Sequence, residues 1–424
     1  MKIAMFTNTY PPHVGGVARS VSTQVEWLQA HGHETLVIAP EFPDIPEGEE
    51  PGVLRVPAIQ NFNGSDFSVR LPLGLDAVNR IEAFAPDIVH SHHPFLMGDS
   101  ALRIAYQEGR PLIFTHHTRY EDYAHYILED SDALKALARE IALNYSSLAD
   151  LVVAPSASIE QMLLERELKQ PIRVIPTGID PERFRPAEPQ AVRERLGIPA
   201  DAFTLGHVGR LAPEKNLPYL MEAVTAFLRK NESCHFLVVG YGPEEEKMRA
   251  SAEKAGIGPR CHFAGKLEGQ DLADAYHALD LFVFSSKSET QGMVLAEAMT
   301  CGKPVVALDA PGAREVVRDG SNGRLLAGDA SPEQFAEAAD ELYQRLRNGS
   351  PEDRNALEAS LRETAEAFSL DACMGRMCEL YAEAIADYGS AGTLSGWEKF
   401  LGRCEAEWRL ALEKAASAGA AIWS

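Results

Sequence analysis

Two glutamates, Glu289 and Glu297, stand eight positions apart around a predicted strand–loop–helix turn. An apolar run that ends at Phe284 predicts a buried strand, and a helix from about Gln291 to Cys301 is predicted to follow the loop. The amides near Gly292 and Met293 would then lie at a helix N-terminus, where free backbone N–H groups bind phosphate. Both carboxylates can accept hydrogen bonds from sugar hydroxyls. A ligand with hydroxyls at both ends and a diphosphate between them, a nucleotide sugar, fits this pattern.

Two cations, Arg210 and Lys215, stand five positions apart in a predicted loop, in the form Gly-Arg-x-x-x-x-Lys-Asn. A guanidinium gives bidentate contacts and an ammonium a point charge, so together they can offset the charge of a diphosphate. Two cations in a surface loop are also common by chance. Gly15 and Gly16 stand at the first strand-to-helix turn, where a missing Cβ lets backbone approach a ligand. A tight turn explains such a pair equally well.

Four histidines follow two predicted buried strands in the first half of the chain. His92 and His93 come after one strand, and His116 and His117 come after the next. Open α/β sheets bind ligands at the carboxyl ends of their strands. A metal site is one interpretation, but no carboxylate has metal-ligand spacing to both pairs. Histidines that only satisfy strand-end carbonyls are the alternative, and we expect no bound metal.

A stripe of tyrosines, Tyr120, Tyr123 and Tyr126, follows these histidines with a spacing of three. On a helical turn the three side chains would share one side. Core packing is the ordinary explanation of such a stripe. Because charged residues and the histidines surround it, a wall of an acceptor-binding site is an equal alternative.

The order of elements predicts an α/β protein of two domains. Strands alternate with amphipathic helices from the first residue, as in parallel sheets with crossover helices. At 424 residues the chain is too long for a single ordinary core. The predicted divisions are a first Rossmann-like domain over 1–180, a linker at 181–190, a second Rossmann-like domain over 190–368, a helix over 369–388 that returns to the first domain, and an amphipathic helical tail over 389–424.

Composition and charge indicate a globular protein that does not bind nucleic acid. Hydrophobic residues make up 45% of the chain and charged residues 24%. The formal net charge of −22 disfavours nucleic acid and general attraction to anionic membranes, but it leaves room for a local docking patch. No apolar run reaches the ~20 residues that span a bilayer, and the N-terminal residues are predicted as a strand rather than a signal peptide. The six cysteines lack Cys-x-x-Cys spacing, so reduced thiols in the cytoplasm are expected.

The tail has an apolar side that includes Trp397, Leu401, Trp408 and Leu412. Packing onto the protein, or onto a partner in a homodimer, is one interpretation. Peripheral contact with the inner face of a membrane is the other. Because glutamates balance the basic residues of the polar side, we favour packing.

These patterns together resemble the retaining glycosyltransferases of family 4. The segment from Glu289 to Pro304 has the form Glu-Thr-Gln-Gly-x-x-x-x-Glu-Ala-Met-x-x-Gly-x-Pro of that family. The Gly loop, the histidine segment and the Arg/Lys loop occur in the family's order, and the resemblance covers roughly residues 1–388. It implies the GT-B fold, in which two Rossmann-like domains face each other across an interdomain cleft. It also implies transfer of a hexose from a nucleotide diphosphate sugar.

The resemblance assigns roles to individual residues. His116, with His117 close behind, would approach the transferred sugar. Glu289 would hold the sugar hydroxyls, and Glu297 the ribose hydroxyls. Arg210 and Lys215 would bind the donor diphosphate and stabilise its departure. The other residues implied to border the donor are Gly15, Gly16, Gly240, Lys266, Leu267, Gly292 and Met293. The donor is a co-substrate, so the resemblance implies no cofactor and no metal.

The acceptor side is less specific. The segment His116-His-Thr-x-Tyr-Glu-x-Tyr123 is similar to family members that glucosylate diacylglycerol, which favours a lipid acceptor and leaves a glycan open. UDP-glucose is the donor expected from its frequency in the family. Two alternatives stay open: another GT-B enzyme, such as a sugar-nucleotide epimerase or a disaccharide phosphorylase, and a non-catalytic scaffold that binds sugar nucleotides.

Overall fold

The structure, a computed structural model, describes residues 1–13, 15–42, 50–59, 69–70, 73–119, 132–389 and 396–423. The chain divides into two compact units. The first consists of Met1–Thr177 together with Met374–Ser424, and the second of Gly178–Cys373. Each unit is built on a parallel sheet with helices, as the alternation of strands and helices predicts.

The first unit holds a seven-stranded parallel sheet. The strands up to residue 177 are β1 (Lys2–Phe6), β2 (Glu34–Pro40), β3 (Val53–Val56), β4 (Ala58–Ile59), β5 (Val69–Arg70), β6 (Ile88–Ser91), β7 (Leu112–Thr115), β8 (Leu151–Ala154) and β9 (Ile172–Val174). The sheet order is β3-β2-β1-β6-β7-β8-β9, and β4 and β5 form a separate antiparallel pair. The central strands β6, β7 and β8 are buried on both faces, and most of their residues are accordingly apolar.

Helices cover this sheet and bury a common core. They are α1 (Gly16–Ala30), α2 (Leu75–Phe84), α3 (Met97–Glu108), α4 (Asp132–Leu148) and α5 (Ala157–Glu165). Phe6, Phe114 and Tyr145 are among the large side chains of this core, all three fully buried. Ser156 caps α5 by accepting a hydrogen bond from the backbone of Ile159, as its position before an apolar-periodic segment predicts.

The second unit holds a six-stranded parallel sheet between two apolar cores. Its strands are β10 (Thr204–Val208), β11 (His235–Val239), β12 (Cys261–Gly265), β13 (Leu281–Phe284), β14 (Val305–Leu308) and β15 (Gly323–Leu326), in the order β12-β11-β10-β13-β14-β15. Its helices are α6 (Pro189–Leu196), α7 (Leu217–Lys230), α8 (Glu245–Ala255), α9 (Gly269–His277), α10 (Met293–Thr300), α11 (Ala313–Val316), α12 (Pro332–Asn348) and α13 (Pro351–Ala367). The two cores cover the two faces of the sheet.

The stretch predicted as a linker, residues 181–190, is folded into the second unit. It forms a 3₁₀ turn, Pro181–Phe184, followed by the start of α6. Phe184 is buried in the second unit's core, and its ring packs edge-on against Tyr276 with centroids 5.8 Å apart. The proline and charged residues around it lie in exposed turns, which explains why the composition resembled a linker.

Two helices at the end of the chain contribute to the first unit. They are α14 (Leu370–Tyr388), whose residues from Met374 onward belong to this unit, and α15 (Gly396–Trp423). Helix α15 packs on α3 and α4 and buries Leu410 in the first unit's core. Lys414 pairs with Asp99 at 2.7 Å on the same side.

The other side of α15 exposes Leu401, Trp408 and Leu412. The sequence favours packing of the side that includes these three residues. The helix does pack on its own unit, but through the opposite side, which includes Ala406 and Leu410. No helix among the described residues is both long enough and apolar enough to cross a membrane.

Candidate active site

The predicted donor residues of the second unit follow four neighbouring strands of its sheet. From β10 the chain runs outward to β11 and β12, then returns to β13 on the other side of β10. Such a reversal opens a crevice at the carboxyl ends of the two central strands, where open α/β sheets bind ligands. Arg210 follows β10 and Glu289 follows β13, while Gly240 and Lys266 follow β11 and β12.

The loop that carries Lys215 is fixed to the loop after β13. Lys215 ends a single 3₁₀ turn, and Asn216 adopts a left-handed conformation with φ of 55°. The Ser285 hydroxyl lies 3.0 Å from the carbonyl oxygen of Lys215 and 3.1 Å from that of Asn216. The Asn216 side chain donates in return to the Ser285 carbonyl at 3.3 Å. These bonds hold Lys215 beside the loop that carries Glu289.

Lys215 and Glu289 form an ion pair between Nζ and Oε1. The two side chains are only 17% and 20% exposed, so water screens the pair less than it screens a surface pair. An ammonium suits a phosphate oxygen, and a carboxylate accepts hydrogen bonds from sugar hydroxyls. The structure thus brings together two residues that the sequence placed 74 positions apart.

Backbone packs tightly between Glu289 and the start of α10. Gly292 has φ of 65°, and a Cβ there would collide with the carbonyl oxygen of Gly312. A Cβ on Gly312 would in turn collide with the Cβ of Glu289. Since Gly292 has no side chain, it cannot cap the helix, which begins at Met293 rather than near residue 291 as predicted. The first amides of α10 are therefore suited to an anionic ligand.

Glu297 is oriented by a buried tyrosine. Its Oε2 accepts a hydrogen bond of 2.7 Å from the hydroxyl of Tyr276, which lies on α9 and is fully buried. The Tyr276 ring packs against Phe282, with centroids 5.9 Å apart. Sequence reasoning missed Tyr276, because its spacing from Glu297 carries no motif.

Two turns after β11 and β12 carry the remaining donor residues of this unit. A Cβ on Gly240 would collide with the carbonyl oxygen of Gly209, so the turn after β11 packs backbone against backbone on the loop after β10. Lys266 is exposed and pairs with Glu268 at 2.7 Å. Leu267 is partly buried against the core. At these positions a ligand would contact mainly backbone atoms.

A second residue that the sequence did not single out, His207, lies in β10 beneath this region. Its Nδ1–H donates to the carbonyl of Val283 at 3.2 Å. Burial lowers the pKa of His207 to about 4, so the ring is neutral at physiological pH. Its ring lies nearly parallel to the rings of Phe282 and Phe284, with centroids 6.4 and 6.2 Å away. The strand that precedes the loop with Arg210 and Lys215 is therefore uncharged and closely packed around His207.

In the first unit, Gly15 and Gly16 form the start of α1. Gly15 is extended and accepts a helical hydrogen bond of 3.0 Å from the backbone N–H of Arg19. A Cβ on Gly16 would meet no atom within 4 Å. The helix start is therefore sterically open at Gly16, as a backbone contact with a ligand requires.

The histidines cluster at the carboxyl ends of β6 and β7. His92 Nδ1 lies 2.9 Å from His117 Nε2, and His116 is 1% exposed with its ring edge-on to Phe114. Burial lowers the pKa values of His93 and His117 to about 3. Among the described residues no group of three or more His, Cys, Asp or Glu could hold a metal ion. Tyr120, Tyr123 and Tyr126 lie outside the described residues.

Both halves of the chain match glycosyltransferase domains. Residues 14–183 match the domain described as Glycosyltransferase Family 4, and residues 189–360 match Glycosyl transferases group 1. The α-monoglucosyldiacylglycerol synthase of Streptococcus pneumoniae is 30% identical over 78% of this chain and 76% of its own. A GDP-mannose-dependent α-mannosyltransferase of Mycobacterium tuberculosis is 32% identical over 77% of this chain and 84% of its own. The chain therefore belongs to glycosyltransferase family 4.

Solved structures show the same fold. Sucrose-phosphate synthase from Thermosynechococcus elongatus aligns with a TM-score of 0.69 at 23% identity, over 91% of this chain and 99% of that chain. Anabaena HepE in complex with UDP aligns with a TM-score of 0.66 at 20% identity, over 90% of this chain and all of that chain. The predicted GT-B fold is confirmed. Family membership confirms a hexosyltransferase that uses a nucleotide sugar, while the roles of single residues stay predictions.

Proposed function

We propose that this enzyme transfers glucose from UDP-glucose to a lipid hydroxyl, with retention of configuration at the anomeric carbon. The contact between Lys215 and Glu289 carries this proposal. Both Glu289 and the N-terminus of α10 pack against Gly312. A cation, a carboxylate and the first amides of α10, which no side chain caps, therefore meet at one end of the sheet, which is the set of groups that a sugar diphosphate requires.

The leaving diphosphate receives its stabilisation from cations and backbone. In our proposal Arg210, Lys215 and the amides near Gly292 and Met293 interact with the charge that develops as the glycosidic bond to phosphate breaks. Donors fixed before the reaction stabilise such charge without reorganising. The hydrogen bonds that fix Lys215 to Ser285 supply this preorganisation.

The remaining donor contacts hold hydroxyls. Glu289 accepts hydrogen bonds from the sugar, and Glu297, held by Tyr276, accepts them from the ribose. The backbone at Gly240, Lys266 and Leu267 borders the base. In the first unit, Gly15 and Gly16 offer backbone to the diphosphate.

We assign no covalent nucleophile, in contrast to retaining hydrolases with a closely spaced carboxylate pair. The bond from the anomeric carbon to the phosphate oxygen breaks, and the acceptor oxygen bonds to the same face of that carbon. The acceptor proton passes to the departing phosphate. His116, at the carboxyl end of β7, contacts the transferred sugar. The reaction needs no further cofactor, since the nucleotide sugar is its co-substrate.

A lipid acceptor is supported by two observations. The segment from His116 to Tyr123 is similar to diacylglycerol glucosyltransferases. The relatives from Streptococcus pneumoniae and Acholeplasma laidlawii are both α-monoglucosyldiacylglycerol synthases. A glycan is the alternative acceptor. We place the reaction in the cytoplasm, where reduced thiols and nucleotide sugars occur together, with peripheral contact at the inner face of the membrane.

The exposed stripe of α15, formed by Leu401, Trp408 and Leu412, offers apolar surface for that contact or for a second copy of the chain. Sedimentation of the protein with and without lipid vesicles separates these two uses. Binding to vesicles by a monomer supports the first, and a vesicle-independent dimer that Trp408→Ser dissociates supports the second.

The donor has one specific rival, GDP-mannose, which the mycobacterial relatives are named for. The test incubates purified enzyme with radiolabelled UDP-glucose or GDP-mannose and a bacterial lipid extract. We expect label from UDP-glucose in the organic phase. Label from GDP-mannose instead would overturn the proposed donor, and label only in water-soluble glycans would overturn the lipid acceptor.

The same assay separates the enzyme classes. Change of the free sugar nucleotide without acceptor indicates an epimerase, and donor binding without turnover indicates a scaffold. Arg210→Ala and Lys215→Ala should each lower kcat by about 100-fold, as removal of a preorganised donor does. Lys247→Ala, which removes an exposed lysine paired with Glu244 on α8, is the matched control and should leave kcat unchanged.

A further inference from the structure

Helix α14 brings a buried tyrosine to the histidines of the first unit. Tyr381 is fully buried, and its hydroxyl oxygen lies 2.6 Å from Nδ1 of His90. The other ring nitrogen, Nε2, lies 2.7 Å from the hydroxyl of Thr115. Thr115 is the last residue of β7 and directly precedes His116. A continuous chain of hydrogen bonds therefore leads from α14 to the residue before His116.

The protonation states of this chain follow from burial. Burial raises the pKa of Tyr381 well above its usual value, so the phenol keeps its proton. Burial lowers the pKa of His90 to about 3, so its ring is neutral, with one donor and one acceptor nitrogen. A phenol is a stronger donor than an aliphatic hydroxyl. Tyr381 therefore donates to Nδ1 of His90, and Nε2–H donates to Thr115.

A second path links His90 to the other neighbour of His116. The ring of His90 packs on the ring of His92 with centroids 4.1 Å apart. His92 is hydrogen-bonded through Nδ1 to Nε2 of His117 at 2.9 Å. Thr115 and His117 flank His116, and both are thus held through contacts that lead back to His90.

We propose that Tyr381 is a positioning residue for glycosyl transfer, which fixes His90 in its Nε2–H tautomer and thereby holds the strand end that carries His116. This inference rests on the proposed function, in which His116 contacts the transferred sugar. Tyr381 touches no substrate in this scheme. It acts only through the rings and hydroxyl between itself and residues 115–117.

The groups around His90 determine how the cluster responds to acid. Among the described residues, the titratable groups that face this cluster come from four places: His13 after β1, His92 and His93 after β6, His116 and His117 after β7, and Tyr381 and Cys378 from α14. A donor to Nδ1 stabilises the neutral ring, because the protonated ring has no acceptor. Loss of that donor lets the cluster take up a proton at a higher pH.

The test is Tyr381→Phe, which removes one oxygen and keeps the ring. We expect kcat to fall about tenfold while the KM for the donor changes by less than about twofold, because a misplaced strand end slows the reaction without removing donor contacts. The acid limb of the kcat–pH profile should move to higher pH. Tyr219→Phe is the control: its hydroxyl bonds to the Ala330 and Ser331 carbonyls in the second unit, and neither kcat nor the pH profile should change.

A double-mutant cycle tests the route through His90. His90→Gln retains an amide donor toward Thr115 but cannot switch tautomer. Tyr381→Phe should then have little further effect on kcat in the His90→Gln background, since both changes break the same chain. Additive losses would overturn the route.

The tautomer of His90 supplies a readout that needs no activity. In protein labelled with ¹⁵N-histidine, wild type should show protonated Nε2 and unprotonated Nδ1 at His90, and Tyr381→Phe a mixture. Unchanged tautomer and unchanged kcat in Tyr381→Phe would overturn the positioning role, as would an equal loss in the Tyr219→Phe control. If the wild-type protein transfers neither sugar to any acceptor, the proposed function is wrong. The ¹⁵N spectrum then tests by itself whether Tyr381 fixes the tautomer of His90.

Discussion

The side chain of Glu289 is held at two points, because its carboxylate pairs with the ammonium of Lys215 and its Cβ packs against Gly312. A change of its charge should therefore alter chemistry more than structure. We expect Glu289→Gln to lower kcat by about 100-fold, because the amide leaves Lys215 unneutralised and accepts hydrogen bonds more weakly. Steady-state kinetics with purified variant and donor measure this.

The control for that change is Glu245→Gln on α8, which breaks the exposed pair with Arg249. It should leave kcat within about twofold of wild type, as exposed ion pairs contribute little. If Glu289→Gln retained wild-type kcat, the carboxylate would have no part in the transfer.

Tyr276 offers a separate test of the ribose contact. Tyr276→Phe removes the hydrogen bond to Glu297 and should raise the KM for the donor several-fold, with a smaller effect on kcat. It should also cost about 1 kcal/mol of stability, the net value of one buried hydrogen bond. Tyr219→Phe breaks comparable bonds elsewhere in the second unit and should match the stability loss without the change in KM. Equal KM values for the two variants would contradict the role of Glu297.

Among single residues, spacing in the sequence predicted those that belong to short motifs near strand ends. Arg210, Lys215 and the two glutamates were found because strand-end loops place short motifs beside one another. Tyr276 and Tyr381 were not found, since their partners lie 21 and 291 positions away. Only the folded chain brings such groups together, and no local pattern in the sequence encodes them.

Elements were predictable where the apolar pattern was strong. The buried parallel strands are rich in apolar residues, and the helix predicted over 369–388 is present as Leu370–Tyr388. The start of α10 differed because Gly292 takes a left-handed conformation that ends the loop two residues later than expected. Glycine is necessary at position 292 because a Cβ there would collide with the carbonyl oxygen of Gly312. Local helix propensity carries no information about this contact.

Helix α15 gives a prediction about packing. Leu410 is 2% exposed in the first unit's core, whereas Leu412, two residues on, is 52% exposed. Leu410→Ala should lower the free energy of unfolding by about 2–4 kcal/mol, through lost burial and the cavity left behind. Leu412→Ala should change it by less than about 0.5 kcal/mol. Urea unfolding curves of both variants measure this, and equal effects would mean that α15 does not pack as described.

Across the whole molecule, the two units differ in buried histidines. In the first unit burial lowers the pKa values of His90, His93 and His117 to about 3. In the second it lowers that of His207 to about 4, and it also lowers those of three partly buried histidines, His235, His262 and His277. Unfolded histidines titrate near the ordinary value of about 6.5. Because the pKa of each of these histidines is lower in the folded state, the unfolded chain binds more protons below about pH 6.5. The free energy of unfolding therefore keeps its full value above about pH 6.5 and falls as the pH drops toward the folded pKa.

We therefore expect the first unit to lose stability faster on acidification. Each buried neutral histidine costs about 1.4 kcal/mol per pH unit below its unfolded pKa. All four tryptophans, Trp27, Trp397, Trp408 and Trp423, belong to the first unit, so their fluorescence reports its unfolding. Between pH 7.5 and 5.5, the urea concentration at the midpoint of the fluorescence transition should fall. The midpoint of the last transition in circular dichroism, which we assign to the second unit, should fall less. Equal shifts would contradict a cluster of neutral histidines.

The first unit is also interrupted in the chain, because residues 178–373 of the second unit lie between its two segments, 1–177 and 374–424. The ribosome makes residues 374–424, with most of α14 and all of α15, after the second unit. While residues 374–424 are still being synthesised, the second unit has all of its own residues, but the first lacks Leu410 for its core and Tyr381 for His90. Domains generally fold as units during synthesis. The sheet of the first unit therefore stays partly uncovered until residues 374–424 have been translated, and chaperones that recognise nascent chains should bind this segment for most of that interval.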